Sequence, residues 1–195
     1  VVYSGDGNYT NITVNSTVII PKLEAPVSVD VHNIYVGDVE IITVHLPVNA
    51  TGTVTIEING QTYTNSTIVN GNAIFAVPNL AYGNKTVAVT YSGDANYTGN
   101  FTTANFTVNK RNSQVNLTVT ASVVGIDTVI NVTIPANATG YVLVNVANQN
   151  FTINTTNGNG SLVIKCLANG NYAVNVTYLG DEQYFGSTNS TDFTI

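Results

Sequence analysis

Eleven acids, five cations, two histidines and one cysteine are the chain's sparse supply of ionic, imidazole and thiol groups in 195 residues. His32 and His45 sit at outward positions of alternating stretches. Zinc or proton-transfer chemistry needs convergent ligands or a positioned partner, so both read as solvated surface residues. Asp6, Asp94 and Asp181 each follow a glycine in a recurring phrase: YSGDGNYT (3–10), YSGDANYT (91–98) and YLGDEQYF (178–185). They are the metal candidates, but calcium wants six or more oxygens and several carboxylates, and one acid per loop recurs. The expected role of each is to cap its turn through loop N–H groups. An internal amide cross-link needs a buried Lys beside an Asn or Asp and an acid; Lys85 and Lys165 read as outward, and Lys22 and Lys110 fall at junctions. Gln61 and Gln149 leave a Thr–Gln ester open. Cys166 allows no intrachain disulfide and reads as a small packed residue. No catalytic set, metal site or cofactor is expected from these residues.

Two further groups carry binding chemistry. Tyr97 and Tyr184, in the recurring phrases, could stack on sugar rings. The chain also holds seventeen N-x-S/T triplets, against about six by chance. Alternating strands place i and i+2 on one wet face, and this explains triplets such as Asn131-Val132-Thr133. The potential acceptors singled out are Asn8, Asn49, Asn65, Asn96, Asn137, Asn154 and Asn159.

The phrases mark an internal period. Tyr3 to Tyr91 is 88 positions and Tyr91 to Tyr178 is 87. "LPVNATGTV" (46–54) matches "IPANATGYV" (134–142), and "LAYGNKTVAVTY" (80–91) matches "LANGNYAVNVTY" (167–178). The expected organisation is the last two strands of a preceding repeat (1–22), then full repeats at 23–110 and 111–195. Residues 1–22 are expected to be frayed, or docked on a neighbouring molecule as a strand-exchanged element.

Each repeat alternates strictly: "VSVDVH", "VTIEI" and "VAVTY" in the first, "VNLTVT", "VLVNV" and "VNVTY" in the second. That is the period of half-buried strands. Strands are expected near 26–32, 39–46, 53–59, 61–67, 73–77, 85–92 and 101–108. Seven short strands in under 90 residues predict an all-β fold of tandem immunoglobulin-like sandwiches. The expected core runs from Val27, Val29 and Val31 through Val87, Val89 and Tyr91 to Phe106 and Val108, with nothing ionisable in it. Tyr91, Gly93, Asp94 and Tyr97, with Tyr178, Gly180, Asp181 and Tyr184, form a structural corner in each repeat. Gly93 supplies a positive φ and Tyr97 closes one end of the sandwich.

"ATGTVTIEING", a Leu-x-x-Gly turn and "VTYSGDANY" resemble tandem bacterial and archaeal immunoglobulin-like repeats of cell-surface adhesin-like proteins, closest to those of methanogenic archaea. The resemblance implies an extracellular, wall-attached, non-catalytic fibre. Its usual tyrosine before the penultimate strand is present as Tyr172, but the first repeat has Lys85 there, so that corner is expected to be tied differently.

Composition narrows the partners. Net charge is −6, charged residues make up 8%, and Asn and Thr number 29 and 28. Nucleic acid is excluded for want of clustered cations, and no apolar run is long enough to cross a membrane. Expected partners are other domains of the same chain and surface glycans or proteins. The leading function is a stalk or adhesion repeat. A carbohydrate-binding module using the corner tyrosines and an accessory domain of a surface enzyme are the alternatives.

Overall fold

A computed structural model of the chain describes residues 1–120 and 123–195, and no helix occurs among them. Residues 1–22 carry one short hairpin, β1 (Val2–Tyr3) against β2 (Ile12–Thr13). The first repeat contains β3 (Leu23–Glu24), β4 (Ser28–Asp30), β5 (Ile34–Tyr35), β6 (Glu40–His45), β7 (Val54–Ile58), β8 (Gln61–Asn65), β9 (Asn72–Val77), β10 (Gly83–Tyr91), β11 (Tyr97–Thr98) and β12 (Asn100–Asn109). The second contains β13 (Asn116–Thr120), β14 (Thr128–Thr133), β15 (Tyr141–Val146), β16 (Gln149–Asn154), β17 (Asn159–Ile164), β18 (Asn171–Gly180) and β19 (Phe185–Thr194).

Two sheets pack in each repeat. In the first, β4-β6-β9 lies against β5-β12-β10-β7-β8; in the second, β13-β14-β17 lies against β16-β15-β18-β19. This is a β-sandwich of immunoglobulin type, written twice. Alternation dictates what lies between the sheets. Ile42 and Val44 of one sheet meet Val54, Ile56, Val87 and Val89 of the other in one cluster, all fully buried. Ile130 and Val132 meet Val142, Val144, Val174 and Val176 in the same way. Each such side chain contributes about 1.5–3 kcal/mol. Val27, Val29 and Val31 are only partly buried, because β4 is an outer strand of its three-stranded sheet.

Three expectations need correction. The first core is not free of ionisable groups: Glu40 is 1% and Lys85 9% exposed. Both continue the alternation one step further, Glu40 two before Ile42 and Lys85 two before Val87. A buried carboxylate needs donors, and Glu40 Oε1 accepts the His32 backbone N–H at 2.7 Å. Lys85 stands opposite Phe106, where its aliphatic stem lies along apolar surface. Their counterparts are Thr128 and Tyr172. Tyr172 stacks on Phe193 at 5.5 Å and donates its hydroxyl to the Ala168 carbonyl at 2.9 Å. Cys166 is exposed rather than packed, in a turn at φ +44° where Asn79 holds φ +59° in the first repeat.

Two parallel pairings add to the expected strands. β3 runs beside β11, with Leu23 opposite Tyr97, and β5 runs beside the end of β12, with Ile34 opposite Val108. Both partners lie 74 positions on (97 − 23 and 108 − 34), so the entering segment follows the leaving strand in one register. The chain therefore enters the first sandwich at one pole and leaves at the other.

Candidate functional site

The recurring phrase builds a corner around one carboxylate. Tyr91 ends the inward row of β10 and donates its hydroxyl to the Thr51 carbonyl at 2.7 Å. Asp94 Oδ1 then accepts the N–H groups of Asn96 and Tyr97, both at 2.8 Å. Its Oδ2 accepts the Thr51 N–H at 2.7 Å and the Thr51 hydroxyl at 3.1 Å. The second repeat repeats this with Asp181. Gln183 and Tyr184 donate at 2.8 Å, Thr139 at 2.7 and 3.1 Å, and Tyr178 reaches the Thr139 carbonyl at 3.0 Å. In the hairpin of residues 1–22 no such threonine is present, and the Tyr3 hydroxyl takes the second oxygen of Asp6 at 2.8 Å.

Four donors saturate a carboxylate's acceptor sites. Asp94 and Asp181 are therefore committed to protein N–H and O–H groups. The Thr51 N–H, followed by those of Asn96 and Tyr97, holds the Asp94 carboxyl well below its ordinary range. Burial pushes Asp181 up, but the N–H groups of Thr139, Tyr184 and Gln183 outweigh it, and the group stays below its ordinary value. Burial pushes the Tyr91 phenol up to about 12. No group of three or more His, Cys, Asp or Glu gathers for a metal among the described residues.

The two corner tyrosines differ from sugar platforms. Tyr184 is 8% exposed, and its hydroxyl goes to Asn137 Oδ1 at 2.7 Å. Tyr97 is half-buried and packs on the first core. The N-x-S/T triplets divide. Asn8, Asn49, Asn96 and Asn154 are exposed, with no side-chain hydrogen bond among the described residues. The side-chain amides of Asn65, Asn137 and Asn159 donate to Ile74 O at 3.1 Å, Gln183 Oε1 at 3.4 Å and Asn157 O at 2.9 Å. The triplets at Asn49 and Asn137 end in Thr51 and Thr139, the residues that feed the corner aspartates.

His45 is not simply solvated. Its Nε2 lies 2.8 Å from Asp30 Oδ2 and its Nδ1 2.7 Å from Asn72 Oδ1, a clamp across β4, β6 and β9. The Asp30 hydrogen bond, then that of Asn72, raises its pKa. His32 remains largely exposed.

The linkers dock on the corners. Lys22 donates its ammonium to the Asp94 carbonyl, and Lys110 does the same to Asp181. Arg111 bonds through its backbone to both Gln183 and Phe185 of the second repeat, at 2.8 and 2.9 Å. Its side chain turns back to the first: Nη2 meets Asp38 Oδ1 at 2.7 Å, and the guanidinium sits 4.6 Å over the Tyr35 ring. Tyr82 of the first repeat packs edge-on against Phe185 of the second at 6.0 Å, and the Lys110 ammonium lies 5.6 Å over Tyr82. Arg111, Asp38, Tyr35 and Tyr82 were not anticipated from sequence. The available signal was that the chain's single arginine stands at the repeat boundary.

Residues 27–109 match the family described as bacterial Ig-like domain (group 3). No curated protein matches the chain. Among solved structures it is similar to the fibronectin(III)-like modules of Clostridium thermocellum CbhA, at 13% identity and TM-score 0.37, with 87% of this chain and 94% of that one covered. It is also similar to a Ca2+-stabilized adhesin of an Antarctic bacterium that binds ice, at 18% identity and TM-score 0.37, covering 97% of this chain and 54% of that one. The titin Ig tandem domains give 12% identity and TM-score 0.34, covering 88% and 95%.

Proposed function

We propose that this chain is a non-catalytic spacer from the stalk of an adhesin-like protein, working outside the cell at its surface. The observation that carries the reading is the cross-braced joint at Arg111. One residue is tied by its backbone into the second repeat and by its side chain to Asp38 and Tyr35 of the first. A half-exposed ion pair contributes about 0.2–1 kcal/mol and an exposed cation–π contact about 0.5–1 kcal/mol. Together they hold the joint closed over open by roughly three- to thirtyfold. Entry at one pole and exit at the other sets the sandwiches end to end. A ten-residue strand such as β12 spans about 33 Å, so two such units make a short rod. The uncharged Asn and Thr surface suits a spacer that must resist non-specific association.

Small-angle X-ray scattering tests this. The wild-type chain should give a distance distribution with two resolved domain peaks and a sharp maximum dimension. Arg111→Ala should blur the second peak. Identical profiles for the two proteins, or a compact globule for the wild type, would overturn the reading.

A further inference from the structure

The second repeat carries an open groove of about 550 Å³ at its base, between the β15–β16 turn, the β17–β18 connection and the start of β18. The residues that matter are Asn145, Asn148, Asn171 and Asn175, with Tyr172 and Leu167. No charged side chain lines it.

Much of the hydrogen-bonding capacity of these amides is unspent. Asn145 donates to Asn150 Oδ1 at 2.7 Å, which leaves its own carbonyl oxygen. Asn171 accepts the Thr194 hydroxyl at 2.8 Å, which leaves its NH2 group. Asn148 and Asn175 make no side-chain hydrogen bond among the described residues. A carboxamide offers both donors and acceptors, the pairing that vicinal hydroxyls require. Tyr172 backs the groove from the inner side of β18, its ring packed on the second core against Phe193 and its hydroxyl on the Ala168 carbonyl.

The first repeat is an internal control. At the positions of Asn145, Asn148, Asn171, Tyr172 and Asn175 it carries Glu57, Gly60, Asn84, Lys85 and Ala88. The same fold stands with one of the four amides and without the tyrosine. The cluster is therefore an addition that the sandwich itself does not require. We propose that this groove binds a neutral oligosaccharide, with sugar hydroxyls on the four asparagines. This site is distinct from the corner tyrosines, and it does not depend on the spacer reading.

The test is a titration of the full chain, followed through backbone amide NMR shifts. The probes are linear hexasaccharides of glucose, mannose, galactose and N-acetylglucosamine, each taken to about 10 mM, well past a weak millimolar affinity. Saturable shifts confined to 145–148, 167 and 171–175 with at least one probe are expected. The double variant Asn145→Glu, Asn175→Ala installs the residues the first repeat tolerates, and it should weaken binding at least tenfold. Arg111→Ala should bind as wild type does, which separates this result from the fate of the joint. Absence of shifts with all four probes, shifts centred on Tyr97 or Tyr184, or undiminished binding by the folded double variant would each overturn the proposal.

Discussion

Tyr91→Phe removes one oxygen atom and isolates the corner's contribution. The ring is 1% exposed, and its hydroxyl lies 2.7 Å from the Thr51 carbonyl, which it ties to β10. Phe keeps the ring, so packing loss is minor. A neutral hydrogen bond is worth about 0.5–1.5 kcal/mol net, and a stranded buried acceptor adds a penalty of about 1–3 kcal/mol. Thr51 is exposed, so water reaches part of that carbonyl, and the expected total is about 1–2 kcal/mol. For a domain of this size that lowers Tm by about 4–16 °C. The assay is urea and thermal unfolding followed by circular dichroism. Tyr178→Phe, whose hydroxyl bond is 3.0 Å, serves as the replicate in the second repeat. Each variant should shift the transition of its own repeat with the denaturant slope unchanged. A Tyr91→Phe midpoint equal to wild type within about 0.3 kcal/mol would refute the argument that this hydroxyl fastens the corner.

His45 gives a pH signature. Its folded pKa is raised by Asp30 and Asn72, so the stability it adds is complete below its unfolded pKa of about 6.5 and fades as pH rises through the folded value. The side chains are 41% and 66% exposed, which keeps the effect within about 0.2–1 kcal/mol. Wild type should exceed His45→Thr in stability at about pH 5 and lose that margin near pH 8.5; an equal margin at both would refute it. Gly93→Ala should cost more than about 2 kcal/mol in urea unfolding, because φ is +76° and the added Cβ would sit 2.6 Å from the Gly99 nitrogen. Gly60→Ala shares φ +76° with open space around it, so it should cost about 1–2 kcal/mol; equal losses would mean that the corner is not sterically closed.

The fold was legible because a two-residue period needs only local sequence. Val87, Val89 and Tyr91 announce an inward face wherever they occur, and the 88-residue spacing supplies a second copy as a check. The same rule read to its end places Lys85 and Glu40 inside, against the charged type of both residues. The corner's glycine and aspartate were readable as turn chemistry. Their partners Thr51 and Thr139 were not, since they lie more than forty positions upstream and only the closed sandwich brings them near. Paired strands of two residues, β3 with β11, carry too little alternation to be seen. The groove at the start of β18 is not legible because its asparagines arrive from two separate stretches, 145–148 and 171–175, and in sequence each looks like one more surface amide.

The shared register of the entering segment and the leaving strand has a mechanical consequence. Tension applied along the long axis pulls Leu23 and Asn109 towards opposite poles, so the bonds joining β3 to β11 and β5 to β12 are loaded in shear. Bonds sheared side by side must yield together, whereas a peeled hairpin gives way one pair at a time. The first sandwich is thus latched against stretching by the same pairings that orient it.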